Sequence, residues 1–200
     1  MIKDLEGVKL VAVTKTFGIS EIEKLKENGL NVFGENRVDD SEEKVKNINA
    51  EWHMIGHLQT NKVGKAVELF DVIQSVDSVH LAKIIGKECE KQGKIIPIFI
   101  QVNISEESQK YGFKKHELEN ALNEISKIKN ILIEGFMMIA PFVEPEETRI
   151  YFKEMKKLFD KYKDKYNLKW LSMGMSNDYQ VAIEEGANMV RIGRGLGEIL

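Results

Sequence analysis

Short apolar runs alternate with stretches of helical periodicity along the whole chain. The two signals separate cleanly, because strands bury all or alternate positions over a few residues while amphipathic helices repeat apolar positions every three or four. Eight runs read as strands, over 8–14, 31–34, 52–55, 71–75, 95–102, 131–138, 169–172 and 188–192. Between them the helical pattern covers 20–28, a charged stretch to about 47, a helix opening near Thr60-Asn61, then 78–92, 115–127, 146–165 and 178–185. Gly29 and Gly186 read as helix stops, and Pro97 limits the early ladder bonds of the fifth strand. This alternation, with no linker, repeat or low-complexity break, predicts one α/β domain over 1–200. Its expected architecture is a parallel (β/α)8 barrel of the TIM type. An open doubly wound sheet uses the same alternation and is the competing architecture. One difficulty attends the barrel. Little chain follows the last strand and seven residues precede the first, so the outer position beside strand eight is expected to lack helical cover and to expose apolar surface.

Bulk properties narrow the function classes. Two hundred residues with 42% apolar and 30% charged positions can bury one substantial core. A net charge of −3 gives no global attraction to nucleic acid or an anionic membrane. The lone Cys89 excludes an internal disulfide framework and a multi-cysteine metal site, and its charged helical neighbours predict an inert thiol. The N-terminal residues lack an apolar leader core, and no run reaches membrane-spanning length, so a cytoplasmic location is expected.

Candidate chemistry collects at strand ends. Leu10-Val11-Ala12-Val13-Thr14 delivers Lys15 to the C-terminal end of the first strand, the end where barrel enzymes bind ligands. An amine there either snorkels into water or, at the rim of an apolar core, forms an imine with an aldehyde. The loops after strands seven and eight, holding Ser176, Asn177 and Asp178 and then Gly193, Arg194 and Gly195, stand where barrels recurrently bind phosphate. Ser176 offers a hydroxyl, Asn177 or Asp178 can cap a helix, and the glycines let successive N–H groups form an anion nest. A tight turn alone would also explain those glycines. Arg191 is in phase with Met189 and Gly193, so it points either outward to a helix acid or into the barrel mouth.

Several other candidates carry less. His53 and His57 fall on a strand and its following loop, which makes a metal pair unfavoured. Glu35, Asn36 and Arg37 follow strand two, and Lys110 and Tyr111 follow strand five, all on the same barrel face. Met137 and Met138 are expected in or over the core.

Five collinear segments give these positions a common meaning. Val11-Ala12-Val13-Thr14-Lys15, Phe33-Gly34-Glu35-Asn36-Arg37, the run from Trp52 to Lys62, Ser172-Met173-Gly174-Met175-Ser176 and Val190-Arg191-Ile192-Gly193 strongly resemble the pyridoxal phosphate homeostasis protein family. That family is similar in fold to the N-terminal barrel of alanine racemase and binds pyridoxal 5′-phosphate (PLP). The resemblance implies a reversible Schiff base on Lys15, a phosphate held by Ser176 and the backbone around Gly193 and Arg194, and Arg191 facing the pyridine nitrogen. Asn36 and Met175 join the same cofactor-binding set. An arginine beside that nitrogen disfavours pyridinium and weakens the cofactor as an electron sink. The implied role is therefore carriage of PLP in vitamin B6 homeostasis, with apo PLP-dependent enzymes as acceptors, rather than turnover. Neither nucleic acid, membrane nor metal is expected as a partner, and the chain is expected as a monomer or weak homodimer. A weak amino-acid racemase or other PLP enzyme using Lys15 as base is the enzymatic alternative, and a barrel for another phosphorylated metabolite is the third. Alanine racemases add a β domain that supplies a tyrosine base; none is expected here after Leu200. Family members also usually begin with an amphipathic helix, which is expected to be missing here. Lys110 is a candidate secondary PLP site.

Overall fold

A computed structural model describes residues 5–199. Eight parallel strands, β1 (Lys9–Val13), β2 (Val32–Glu35), β3 (Glu51–Met54), β4 (Val72–Val76), β5 (Ile96–Gln101), β6 (Ile131–Met137), β7 (Trp170–Met175) and β8 (Met189–Ile192), close into a barrel in chain order. The pairing of β8 with β1, with Val11 opposite Arg191, rules out the open sheet. Seven α-helices stand between the strands: α1 (Ile19–Glu27), α2 (Val38–Asn47), α3 (Val63–Leu69), α4 (Val79–Gln92), α5 (Leu118–Ile125), α6 (Arg149–Tyr166) and α7 (Tyr179–Glu184).

Local chemistry explains most boundaries. The Ser78 side chain accepts from the Leu81 N–H at 3.1 Å and opens α4, and Gly93 closes it in the left-handed conformation at φ 64°. Where the expected edges fail, short turns intervene. Thr60 and Asn61 do not cap a helix; with Lys62 they form a 3-10 turn, and α3 begins at Val63. The 3-10 turn Pro145–Thr148 likewise delays α6. β7 runs further than expected, to Met175, because a register irregularity against β8 carries the strand past Ser172.

The strands have two apolar faces. On β1, Leu10 and Ala12 pack into the large core shared with the helices, whereas Val11 joins Val72, Phe99, Met137 and Met189 in a separate buried cluster inside the barrel. Polar side chains, His53, Gln74, Ser172 and Arg191, are buried among them. Met137 and Met138 are both buried, as expected.

The anticipated bare apolar surface beside strand eight is absent among the described residues. Val190 and Ile192 are buried and Leu10 is half-buried. Leu196, in the 3-10 turn Leu196–Ile199, is buried in the same cluster, with Leu5 packed against its edge. A single turn and a small Ala12 do what the expectation assigned to a helix. The segment expected to lack a helix includes residues 1–4, which lie outside the described residues; Leu5 to Val8 form a turn closed by a 2.9 Å bond from the Val8 N–H to the Leu5 carbonyl.

Candidate functional site

A cleft of about 430 Å3 opens at the C-terminal ends of the strands. Lys15, Asn36, Met175, Ser176, Arg191, Gly193 and Arg194 all line it. The structure thus brings together every residue expected to bind the cofactor, from β1, β2, β7, β8 and their loops.

Lys15 hangs from a buried clasp. The Thr14 hydroxyl donates to Glu35 at 2.7 Å, and the Lys44 ammonium donates to both Glu35 (2.9 Å) and the Thr14 carbonyl (2.8 Å). Glu35 is 1% exposed, so its charge is tolerable only because it is paired and hydrogen-bonded. The clasp fixes the last residue before Lys15, whose own side chain is exposed. Asn36 is held by close backbone approach. A β-carbon on Gly56 would lie 2.2 Å from the Asn36 carbonyl oxygen, so only glycine lets the loop after β3 pass there. Arg37 lies outside the cleft and pairs with Asp40 at 3.3 Å on the surface.

On the β8 side of β1, the loops after β7 and β8 converge on one hydroxyl. Ser176 Oγ accepts from the Gly193 N–H at 3.2 Å and the Arg194 N–H at 3.1 Å. Gly195 takes φ 91°, the left-handed turn its position requires, while a β-carbon on Gly193 would lie 3.3 Å from the Val13 side chain. Both N–H groups are spent on the Ser176 oxygen, so an anion seated at these groups takes the donors over from the hydroxyl. Asp178 stands at the N-cap of α7 but, like Asn177, gives it no side-chain capping bond. The Asp178 carboxylate turns back to accept from the Met175 N–H at 2.7 Å and closes the loop instead. Burial pushes its pKa up, opposed by that N–H and by Arg191.

Arg191 points inward. It is 3% exposed and donates to the Ser172 carbonyl (2.9 Å), the Ser172 hydroxyl (2.8 Å) and the Met138 carbonyl (2.8 Å). Burial lowers its pKa to about 10, with the Asp178 charge opposing. An arginine normally turns outward from a strand; here three interior acceptors hold it at the cleft floor.

The rim combines charge with apolar surface. Lys110 lines the cleft and pairs with Glu107 at 2.5 Å. Tyr111 lies in an adjoining pocket and stacks on His57 at 3.7 Å, while His57 pairs with Asp77 at 2.9 Å. His53 is buried inside the barrel, so the two histidines share no ligand position. Among the described residues no three His, Cys, Asp or Glu side chains group as metal ligands. Cys89 is buried in α4, where burial pushes its thiol up to about 11. No described helix is long and apolar enough to cross a membrane. Ile139, Phe142 and Val143, on the loop after β6, form an exposed apolar lip that the sequence pattern did not single out. Gln74 was also missed, although an amide inside the apolar run 71–75 was a legible signal.

Comparison with known proteins places this architecture. The alanine racemase N-terminal domain family matches residues 1–196. The pyridoxal phosphate homeostasis protein of Aquifex aeolicus is 39% identical over 191 residues, covering 92% of this chain and 84% of that protein. The structure of PipY of Synechococcus elongatus with PLP bound superposes with a TM-score of 0.88 at 33% identity, covering 95% of this chain and 92% of that one. Alanine racemase of Clostridium difficile shares the fold at 19% identity, with a TM-score of 0.79 over 98% of this chain and 53% of its own. By fold and by sequence, the chain belongs to the pyridoxal phosphate homeostasis protein family.

Proposed function

We propose that this protein binds PLP in the cleft as a reversible Schiff base on Lys15 and carries it within the cell rather than turning over a substrate. The observation that carries the reading is the meeting, in one cleft, of an exposed lysine, a hydroxyl gathering two backbone N–H groups and a buried arginine. The residues fit the cofactor on structural grounds: about 430 Å3 is the size of a small-molecule site, and Ser176 with the Gly193 and Arg194 N–H groups suits a phosphate. Bound PLP would supply an aldehyde able to condense reversibly with a lysine amine, with loss of water on binding and uptake of water on release. Lys15 provides that amine at the end of β1. Ser176 and the two N–H groups anchor the dianion, and Asn36 and Met175 flank the space between. Arg191, at the cleft floor, would present a cation to the ring nitrogen of bound PLP and disfavour its protonation, which suits storage better than carbanion chemistry. The names of the relatives, homeostasis proteins, support the same role, as does the PLP-bound relative. Apo PLP-dependent enzymes in the cytoplasm are the proposed acceptors.

Borohydride reduction of the PLP-loaded protein followed by peptide mass mapping tests the assignment. A pyridoxyl adduct on Lys15 is expected; an adduct elsewhere, or none, overturns it. Racemisation of amino acids by the loaded protein at the rate of a dedicated enzyme would replace carriage with the racemase reading.

A further inference from the structure

The barrel interior holds a continuous polar file that the cofactor cleft does not account for. It begins at Arg191 Nη1, which donates to Ser172 Oγ at 2.8 Å. The Ser172 hydroxyl donates to Gln74 Oε1 at 2.7 Å. The Gln74 amide nitrogen stands 2.6 Å from His53 Nδ1, and His53 Nε2 stands 2.7 Å from Glu51 Oε1. Glu51 is also held by the Lys9 ammonium at 2.7 Å. Lys9, Glu51 and His53 line a second recess, of about 420 Å3, which also includes Trp170 at the start of β7. It therefore opens at the N-terminal ends of the strands, opposite the cleft.

The chemistry of the links fixes their direction. An amide nitrogen only donates, so His53 Nδ1 must accept and carry no proton. The ring proton then sits on Nε2 and goes to the Glu51 carboxylate. Gln74 spends its second N–H on Met189 Sδ at 3.3 Å and its oxygen on Ser172, so its orientation is determined from three sides. Every donor from Arg191 to Glu51 thus points the same way, from a buried cation to a carboxylate. Aligned dipoles of this kind reinforce one another in a low-dielectric interior. The file also answers a packing problem: among the described residues no carboxylate pairs directly with the Arg191 guanidinium, which is buried.

We propose that Ser172, Gln74 and His53 are positioning residues for Arg191, and that they couple the cofactor cleft to the Lys9–Glu51 pair at the opposite mouth of the barrel. The inference rests on the reading that Arg191 faces the PLP ring nitrogen. A change of charge or contact at that nitrogen is then transmitted through the guanidinium, the hydroxyl and the amide to the His53 ring.

The test uses the full chain with 15N-labelled histidine, the His53 signals being assigned by their loss in His53→Asn. In the ligand-free protein His53 should show a bare Nδ1 and a protonated Nε2. Adding PLP should shift both His53 resonances, and Gln74→Met should abolish that shift while the visible absorbance of bound PLP persists. A protonated Nδ1 in the ligand-free protein overturns the relay. So does a visible PLP band with unmoved His53 resonances, or a shift that survives in folded Gln74→Met. If Gln74→Met does not fold, Ser172→Ala cuts the adjacent link and must give the same loss. Absence of the visible band in the parent protein overturns the PLP reading instead, and the tautomer measurement then decides the relay alone.

Discussion

Ser176 and Arg191 illustrate how differently single residues declare themselves. Ser176 was legible because it follows a strand end in a loop where barrels hold phosphate, and its hydroxyl does meet two backbone N–H groups. Under the proposed reading that hydroxyl contacts an anion, and a hydrogen bond to a charged group is worth about 1.5–3 kcal/mol. Ser176→Ala should therefore raise the dissociation constant for PLP roughly tenfold to a hundredfold, as measured by titration of the visible band. The thermal midpoint should stay close to that of the parent, since Ser176 is only half-buried. Arg191 was ambiguous in the sequence. Strand phase places it with Met189 but says nothing of whether the interior offers it acceptors. Those acceptors, the Ser172 and Met138 carbonyls and the Ser172 hydroxyl, come from residues 19 and 53 positions away.

At the scale of elements, periodicity located every strand and every α-helix, while their ends depended on contacts that pattern alone does not encode. The 3-10 turns before α3, α5 and α6 each absorb residues that read as helix. The clasp joining β1, β2 and α2 was likewise invisible, because Thr14, Glu35 and Lys44 are unremarkable until the strands pair. Its energetics are testable. Lys44→Met leaves Glu35 buried without its cation, and breaking a buried ion pair costs about 3 kcal/mol or more. The urea midpoint should fall accordingly. Adding Glu35→Gln to Lys44→Met should recover over half of the loss, because it removes the stranded charge, and a double-mutant cycle measures that coupling.

For the whole molecule, alternation of strands and helices predicted a closed barrel, with an open sheet as the competing architecture. The same pattern builds an open sheet, and only the β1–β8 pairing distinguishes them. The buried polar file was illegible for a related reason: Ser172 and Gln74 are 98 residues apart and meet only across a closed barrel. That file predicts how the fold responds to acid. His53 is held neutral by burial, below its ordinary pKa of 6.5. Below that pH the unfolded chain takes up a proton that the folded ring refuses, so stability declines as pH falls. Glu51 is held down to about 2 by the His53 hydrogen bond first and by Lys9 second, despite partial burial. Its contribution is complete above its ordinary 4.5 and is lost as pH falls from there toward 2. Urea midpoints measured from pH 7 downward should decline in two phases. His53→Gln should remove the upper one.

The seam between β1 and β8 has a consequence for biosynthesis. Lys15 is translated well before Gly193 and Arg194. A ribosome-bound chain therefore has its amine long before it has an anion site, and the complete cleft exists only after β8 docks against β1. Occupancy by a ligand touching both sides would lock that seam, since anything that binds only the closed form stabilises it by mass action. Cofactor retention in this protein is thus a readout of barrel closure, withheld from every nascent chain that has not yet made β8.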